Sequence, residues 1–431
     1  MFLTLMIVVF VLGYAAIAFE HPIKIDKAAS ALITGVLVWT LFVFTGADSH
    51  FIEKELLHHL SEISSILFFL LGAMTIVELV DAHEGFAIIT DKITTTKKVR
   101  LLWIISVLTF FFSAALDNLT TSIVMISLLR KLIDDKHDRW FFAGIVVVAA
   151  NAGGAWSPIG DVTTTMLWIG GQLSTMTIIT SLFIPSLVAM LVPLIILTFT
   201  LKGNVARPMR MDGLEHYTNP TTKFERNLIF FLGVAGLLFV PFFKTVTHLP
   251  PFMGMMLSLG VLWAVTEIIH RSKNQEDKSQ LSVIGVLRKV DTASVLFFLG
   301  ILLAVAGLQS AGHLALMAGG LNDLFEGNVY AINVVIGLFS AIVDNVPLVA
   351  GSMGMYEIAE TGDFARDGVF WQFLAFCAGT GGSALIIGSA AGVAVMGLEK
   401  IDFVWYLKKI SILALIGYFA GAGTYILIQS L

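Results

Sequence analysis

Apolar runs of membrane-spanning length, separated by short polar clusters, set the pattern of this chain. Residues 1–19, 28–47, 140–160, 162–201, 292–322 and 368–398 contain no Asp, Glu, Lys or Arg. A bilayer core takes roughly 20 apolar residues as a helix, so these runs predict spans. Ten are predicted, at about 1–19, 28–46, 62–82, 140–170, 175–201, 227–243, 252–270, 293–312, 369–397 and 404–431. Two further stretches are apolar around one carboxylate: Leu101 to Leu129 carries Asp117, and Gly327 to Tyr356 carries Asp344. Each is either a crossing helix or a re-entrant hairpin turning at its Asp. The arms after the Asp, 118–129 and 345–356, are 12 residues each. That is about 18 Å of helix, too short for a core of about 30 Å.

Charge placement points the same way, because Lys and Arg collect in cytoplasmic loops. With both stretches as hairpins, all of the 26 Lys and Arg except Lys54, Lys244 and Arg366 fall on one side. With both as crossings, they divide far more evenly. The expected fold is an all-α polytopic membrane protein of about ten spans and two hairpins, at 100–133 and 327–357. Residues 83–99, 130–139, 202–225 and 271–291 are expected in the cytoplasm, with 47–61, 357–367 and both termini outside. Composition agrees, with 57% hydrophobic and 13% charged residues and a mean hydropathy of +0.88. A net charge of −5 with scattered basic residues argues against a nucleic-acid partner and leaves membrane lipid as the surroundings. The single Cys377 excludes an intrachain disulfide framework or a Cys-rich metal centre. No basic region precedes the first apolar run, which reads as a helix and not as a cleaved signal.

The ambiguous stretches are also the most alike. Ser113-Ala-Ala-Leu-Asp117-Asn118 matches Ser340-Ala-Ile-Val-Asp344-Asn345, and Ser65-Ile-Leu-Phe-Phe-Leu matches Ser294-Val-Leu-Phe-Phe-Leu. Gly153, Gly154 and Gly160 match Gly381, Gly382 and Gly388 at a similar offset. Two halves follow, 1–201 and 226–431, joined by a linker at 202–225, each with five spans and one hairpin. Five is odd, so the halves are inverted, with the first hairpin open to the cytoplasm and the second to the outside. Inverted repeats with broken helices are characteristic of secondary transporters. Gly153, Gly154 and Pro158 in one half, and Gly381 and Gly382 in the other, supply the breaks. Unwound backbone at that depth must be buried in protein or line a cavity; close helix packing is the alternative use of such small residues.

Asp117, Asp161 and Asp344 are the carboxylates expected within the membrane. A charge there costs about 2.5–3.5 kcal/mol and marks an ion or proton pathway; helix capping is the competing explanation. Asn118, Thr120, Asn151, Thr163 and Thr164 add the oxygens that hard cations prefer. Glu78, Asp81 and Glu267 read as interfacial helix ends. His83 and His137 read as solvated loop residues able to titrate, and His58-His59 as an outside pair without partners. Gly417 and Gly421 form a small-residue pair suited to helix packing.

Asp117-Asn118-Leu-Thr-Thr, Asn151-Ala-Gly-Gly-Ala-Trp-Ser-Pro-Ile-Gly-Asp161-Val-Thr-Thr and Asp344-Asn345-Val-Pro resemble the NhaD-type sodium/proton antiporters of bacteria. These belong to the ion transporter superfamily, with arsenite permeases and divalent-anion/sodium symporters. The likeness covers essentially the whole chain. It implies a homodimer in which scaffold helices hold mobile transport domains that move like elevators. It also implies functional roles for Asp117, Asn118, Thr120, Asn151, Asp161, Thr163, Thr164, Ser340, Asp344 and Asn345. The expected activity is export of Na⁺ (Li⁺) in exchange for H⁺ across the bacterial inner membrane, with no cofactor. Cation and proton compete for the buried carboxylates. Ser389 stands where the repeat has Asp161, so the tighter cation site is assigned to Asp117 with Asp161, supported by Asn118, Asn151 and Thr163. The rivals are an arsenite or organic-anion permease of the same fold, a passive channel and an intramembrane enzyme.

Overall fold

The computed structural model describes residues 2–18, 20–90, 92–208, 221–342 and 344–431. The middle of the expected linker, 209–220, lies outside the described residues, as does Val343 beside the second hairpin Asp. Among the described residues the protein is built from helices, with two isolated backbone bridges and no longer strand.

The chain opens with α1 (Phe2–Ala18), the single-turn α2 (Glu20–Ile23), α3 (Lys27–Val43) and the 34-residue α4 (Ser49–Ala82). A short α5 (Ala87–Thr90) leads into α6 (Lys98–Leu116), α7 (Asn118–Leu132), α8 (Lys136–Gly154), α9 (Val162–Ile169) and α10 (Thr175–Thr200). Next come α11 (Lys223–Thr247), α12 (Pro251–Ile269), the short α13 (Gln275–Leu281) and α14 (Val283–Leu287), then α15 (Thr292–Ser310) and α16 (His313–Leu324). The chain closes with α17 (Val329–Phe339), α18 (Asn345–Met355), α19 (Val369–Gly381), α20 (Ala390–Glu399), α21 (Phe403–Lys409) and α22 (Ser411–Gln429).

Seven of these helices are long and apolar enough to cross a bilayer: α4, α6, α10, α11, α12, α15 and α22. The protein is thus a multi-pass membrane protein. The two spans expected to be broken, 140–170 and 369–397, are pairs of helices, α8 with α9 and α19 with α20. Residues 49–61, expected as a loop, extend α4 at its N-terminal end. Asp48 caps that helix by accepting from the Phe51 amide at 3.2 Å. His58 with Glu62, at 3.7 Å, and His59 with Glu55, at 4.0 Å, are helical i,i+4 pairs that support the extension. His59 is also buried and shares a 3.2 Å hydrogen bond with Ser310, so the pair is not without partners.

Both stretches around the central Asp residues turn back. Lys98 donates its amide to Gly203 at 3.1 Å, and Asp134 donates to Ala206 at 2.9 Å. The two ends of the α6–α7 hairpin therefore meet the same strand of linker, although α6 alone is long enough to span. The α17–α18 hairpin closes in the same way. Asn333 near its start donates to Phe370 O at 3.0 Å, and Tyr356 at its end packs on the Phe370 ring. Asp367, just before Phe370, donates to Gln172 O at 2.8 Å beyond the far end of α9. The hairpins thus point at each other from opposite ends of the α8–α9 line.

Packing divides the helices into two bodies. α1, α3, α4, α11, α12 and α15 pack together as one body; the hairpins, α8–α10 and α19–α22 pack together as the second. Gly417 and Gly421 of α22 lie against Pro193 and the Pro185 carbonyl of α10, the packing role read from their spacing. α15 with α18, α4 with α9 and α11 with α6 join the bodies. A polar tether crosses there: Lys244 of α11 donates to Trp168 O at 2.6 Å and stands 4.4 Å over the indole ring. Beside it lies a cavity of about 510 Å³ lined by both bodies, including Glu62, Lys244, Gln309, Met166 and Met353.

Candidate functional site

Each hairpin arm seats on a broken helix through serine and glycine. Ser113 of α6 donates to Ala150 O at 2.6 Å, and Ser340 after α17 donates to Ala378 O at 2.8 Å. A side chain on Gly153 would collide with the Phe110 backbone, and one on Gly381 with the Gly337 backbone. Both glycines sit in the last turn of their helices. They permit close approach, while the unwound segments proper, 155–161 and 382–389, follow them. Pro158 lies in the first, where its carbonyl accepts from Thr165 Oγ1 at 3.0 Å.

These seatings bring both tips and both breaks to one buried cluster. Asp161 caps α9: its Oδ1 accepts from the Thr163 amide and hydroxyl, both at 2.9 Å. Its Oδ2 accepts from Asn118 Nδ2 at 2.6 Å and from Asn345 Nδ2 at 3.4 Å. Asn118 also donates to Asn151 Oδ1 at 3.0 Å, and Asn151 Nδ2 donates to Ser383 Oγ at 3.0 Å and Ser389 Oγ at 2.9 Å. Thr164 donates its hydroxyl to Asp161 O at 2.9 Å. Six residues singled out by sequence, Asn118, Asn151, Asp161, Thr163, Thr164 and Asn345, are thus joined directly.

The tip carboxylates stand one step aside. Asp117 accepts from the Thr120 amide at 2.7 Å and its hydroxyl at 2.8 Å, and Asp344 accepts from the Val346 amide at 3.1 Å. All three Asp residues cap helices, so capping and a role in the cluster coexist. The tips are not alike: Asp117 has φ +76° and ψ 160°, whereas Asp344 has φ −46°. A non-glycine residue in the former region stores about 1–3 kcal/mol of strain. Tyr14 of α1 hydrogen-bonds the Asp344 backbone, and Lys27 at the start of α3 is an electrostatic neighbour of its carboxyl.

Sequence reasoning missed Ser383, Tyr14 and Lys27. Ser383 carried a weak signal, as a hydroxyl directly after a Gly-Gly break; Tyr14 and Lys27 carried none. Thr121, one turn past Asp117, buries a hydroxyl that has no hydrogen-bond partner. Chemically the cluster is rich in oxygen: carboxylates, amides that expose oxygen after a half rotation, and hydroxyls, the ligand set of a hard cation. Among the described residues no group of three or more His, Cys, Asp or Glu is placed to hold a metal ion. No Lys or Arg of the described residues hydrogen-bonds into the cluster.

Comparison with known proteins matches residues 14–372 to the family described as "Citrate transporter". Sodium/proton antiporter 1 of Arabidopsis thaliana is 48% identical over 99% of this chain and 72% of its own length. Sodium/proton antiporter 2 of the same plant is 46% identical over 99% of both chains. The Na(+)/H(+) antiporter NhaD of Vibrio cholerae is 30% identical over 96% of this chain and 89% of its own.

Proposed function

The chain belongs to the citrate transporter (CitMHS) family, and within it we propose that the protein is a sodium/proton antiporter that moves Na⁺ (Li⁺) against H⁺ by alternating access. Antiporters from plant and bacterium that span nearly the whole chain support the activity. One observation carries the mechanism: amides from two hairpins that approach from opposite ends share one buried carboxylate, Asp161. That carboxylate is saturated by four donors. A cation takes its place in the cluster by displacing an amide, which on rotation offers its own oxygen. A proton on the carboxylate removes the charge that holds the cation. Mutually exclusive occupancy by cation or proton is sufficient for exchange.

The matching seats of Ser113 and Ser340, and of Gly153 and Gly381, support two inverted repeats, 1–201 and 226–431. The division into two bodies supports an elevator-like cycle of the second against the scaffold, in a homodimer held by scaffold helices. We place the basic loops on the cytoplasmic face, or its equivalent, of a proton-energised membrane, with both termini opposite. In a bacterium this is the inner membrane. The runner-up, carriage of an organic anion, follows from the family's description. It is disfavoured by a cluster that presents carboxylates and, among the described residues, no hydrogen-bonding Lys or Arg.

The test is a cation-induced ΔpH assay on reconstituted protein, comparing Na⁺, Li⁺ and K⁺ and adding citrate in a separate arm. Na⁺ and Li⁺ are expected to collapse an imposed ΔpH without citrate, and Asp117→Asn or Asp344→Asn to abolish this while still folding. Citrate-dependent flux, or near-normal exchange in both variants, would overturn the reading.

A further inference from the structure

Three scaffold elements meet at the end of the molecule that carries the linker: the C-termini of α4 and α12 and the N-terminus of α11. His83 caps α4 and His270 caps α12. Both are buried, so His83 is no solvated loop residue. Their Nε2 atoms lie 2.7 Å apart, with the ring centroids 5.0 Å apart and the ring planes 23° from parallel. A contact of that length needs one proton between the two nitrogens, and only one.

The remaining nitrogens fix where that proton belongs. His83 Nδ1 is 2.7 Å from Leu79 O. A carbonyl only accepts, so Nδ1 carries hydrogen, and in a neutral ring Nε2 is then the acceptor. His270 Nε2 therefore donates, which leaves His270 Nδ1 bare. That atom is buried without a hydrogen-bond partner and faces Glu225 Oε1 at 3.9 Å. A bare lone pair opposite a carboxylate is where one further proton binds.

Glu225 accepts from the Thr222 amide at 2.7 Å, closing the capping box of α11, and from Lys273 Nζ at 2.9 Å. Glu267 and Lys273 are the other charged groups that act on the pair. Burial pushes the His83 imidazole down to about 4, and burial, then Lys273, lowers His270. The pair is neutral at neutral pH and charges on acidification.

We propose that His83 and His270 form a single-proton binding site in the scaffold, separate from the Asp161 cluster, through which acid on the linker side lowers the maximum rate of transport. Its coupling to transport rests on the antiport reading; the proton site does not. Once charged, Nδ1–H must close on Glu225 by about 1 Å to reach hydrogen-bond length, drawing His83 and the following turn with it. Phe86 in that turn packs on Phe230 of α11 at 6.1 Å and on Phe112 of α6 at 6.0 Å. Phe112 lies five residues before Asp117, so the shift is delivered to the hairpin arm.

The test has three readouts. Full-length protein with ¹⁵N-labelled histidine in lipid nanodiscs should show two Nε2 signals that move together as one proton is added. His270→Gln should remove both signatures; two rings that titrate singly, like exposed imidazoles, would overturn the site. A second readout is stability. The folded state lowers these pKa values, so the unfolded chain binds more protons, and the contribution present above about pH 6.5 is lost as pH falls toward about 4. The melting midpoint of wild type should fall over that window more than that of His270→Gln; equal slopes would count against the site. In proteoliposomes at saturating Na⁺, the maximum rate of wild type should fall several-fold between about pH 7 and 5. His83→Gln and His270→Gln should flatten that fall and leave the pH dependence of the Na⁺ KM unchanged. Rate profiles that superimpose on wild type would overturn the regulatory role. Absence of any exchange would defeat the antiport reading instead, and the labelled-histidine result would still decide the site.

Discussion

Asp161 and Ser389 occupy equivalent caps on two short helices, and they differ in what they hold. Asp161 receives four donors, two of them from opposed hairpin tips, whereas Ser389 receives the Gly392 amide and one proton of Asn151. Asp161→Asn can still cap α9 but meets Asn118 and Asn345 donor to donor. Hydrogen bonds to a charged group are worth about 1.5–3 kcal/mol, so we expect the Na⁺ KM to rise about 10- to 100-fold and the pH profile to shift. In Ser389→Ala, Asn151 keeps Ser383 as an acceptor, and the KM should move less than about threefold. Steady-state exchange against Na⁺ concentration at several pH values separates the two. An unchanged KM and pH profile in Asp161→Asn would reduce that residue to a cap. The identity of these residues was legible in the sequence because a carboxylate or Asn in an apolar run is conspicuous. Their pairing was not. The sequence grouped Asp161 with the first hairpin alone, yet Asn345, 184 positions away, addresses the same oxygen.

Hairpins and broken helices were readable as elements because single residues punctuate them. The boundaries of α6, α7, α17 and α18 fall within a few residues of those expected. What holds the elements together was not readable. Glu399, at the end of α20, accepts from Arg130 Nε of α7 at 2.6 Å and Arg139 Nε of α8 at 2.8 Å. Arg130 also reaches Leu398 O, and Trp140 donates to Glu399 O at 2.9 Å. The partners are 260 and 269 positions away, and a glutamate at a helix end has no sequence signature for such contacts. Glu399 is nearly fully buried and Arg130 half exposed. Glu399→Gln is therefore expected to cost about 1–3 kcal/mol, seen as a lower melting midpoint. Arg130→Gln should cost less, since Arg139 continues to neutralise the carboxylate. Equal midpoints in wild type and Glu399→Gln would show that the clasp contributes nothing to stability.

At the scale of the molecule, the opposed hairpins predict which loops share a face. In intact cells, introduced cysteines at His50 and Asp363 should react with an impermeant reagent, and one at Lys136 only after permeabilisation. The native Cys377 is buried and gives little background. Labelling at Lys136 from outside would reverse the orientation read from the basic loops. That the chain crosses the membrane many times was legible from hydropathy; the partition into two bodies was not, because apolar periodicity does not tell a helix facing lipid from one facing a neighbour. That partition gives α9 a particular standing. It has 8 residues, about 12 Å of rigid rod, with Asp161 at one end and the Lys244 ammonium gripping the other. Asp161 and the only cation from the other body that hydrogen-bonds this helix among the described residues thus sit on a common shaft. On the antiport reading proposed above, filling or emptying the cluster is expected to load that shaft directly, so that the grip of one body on the other acts as a detent whose release is timed by what Asp161 holds.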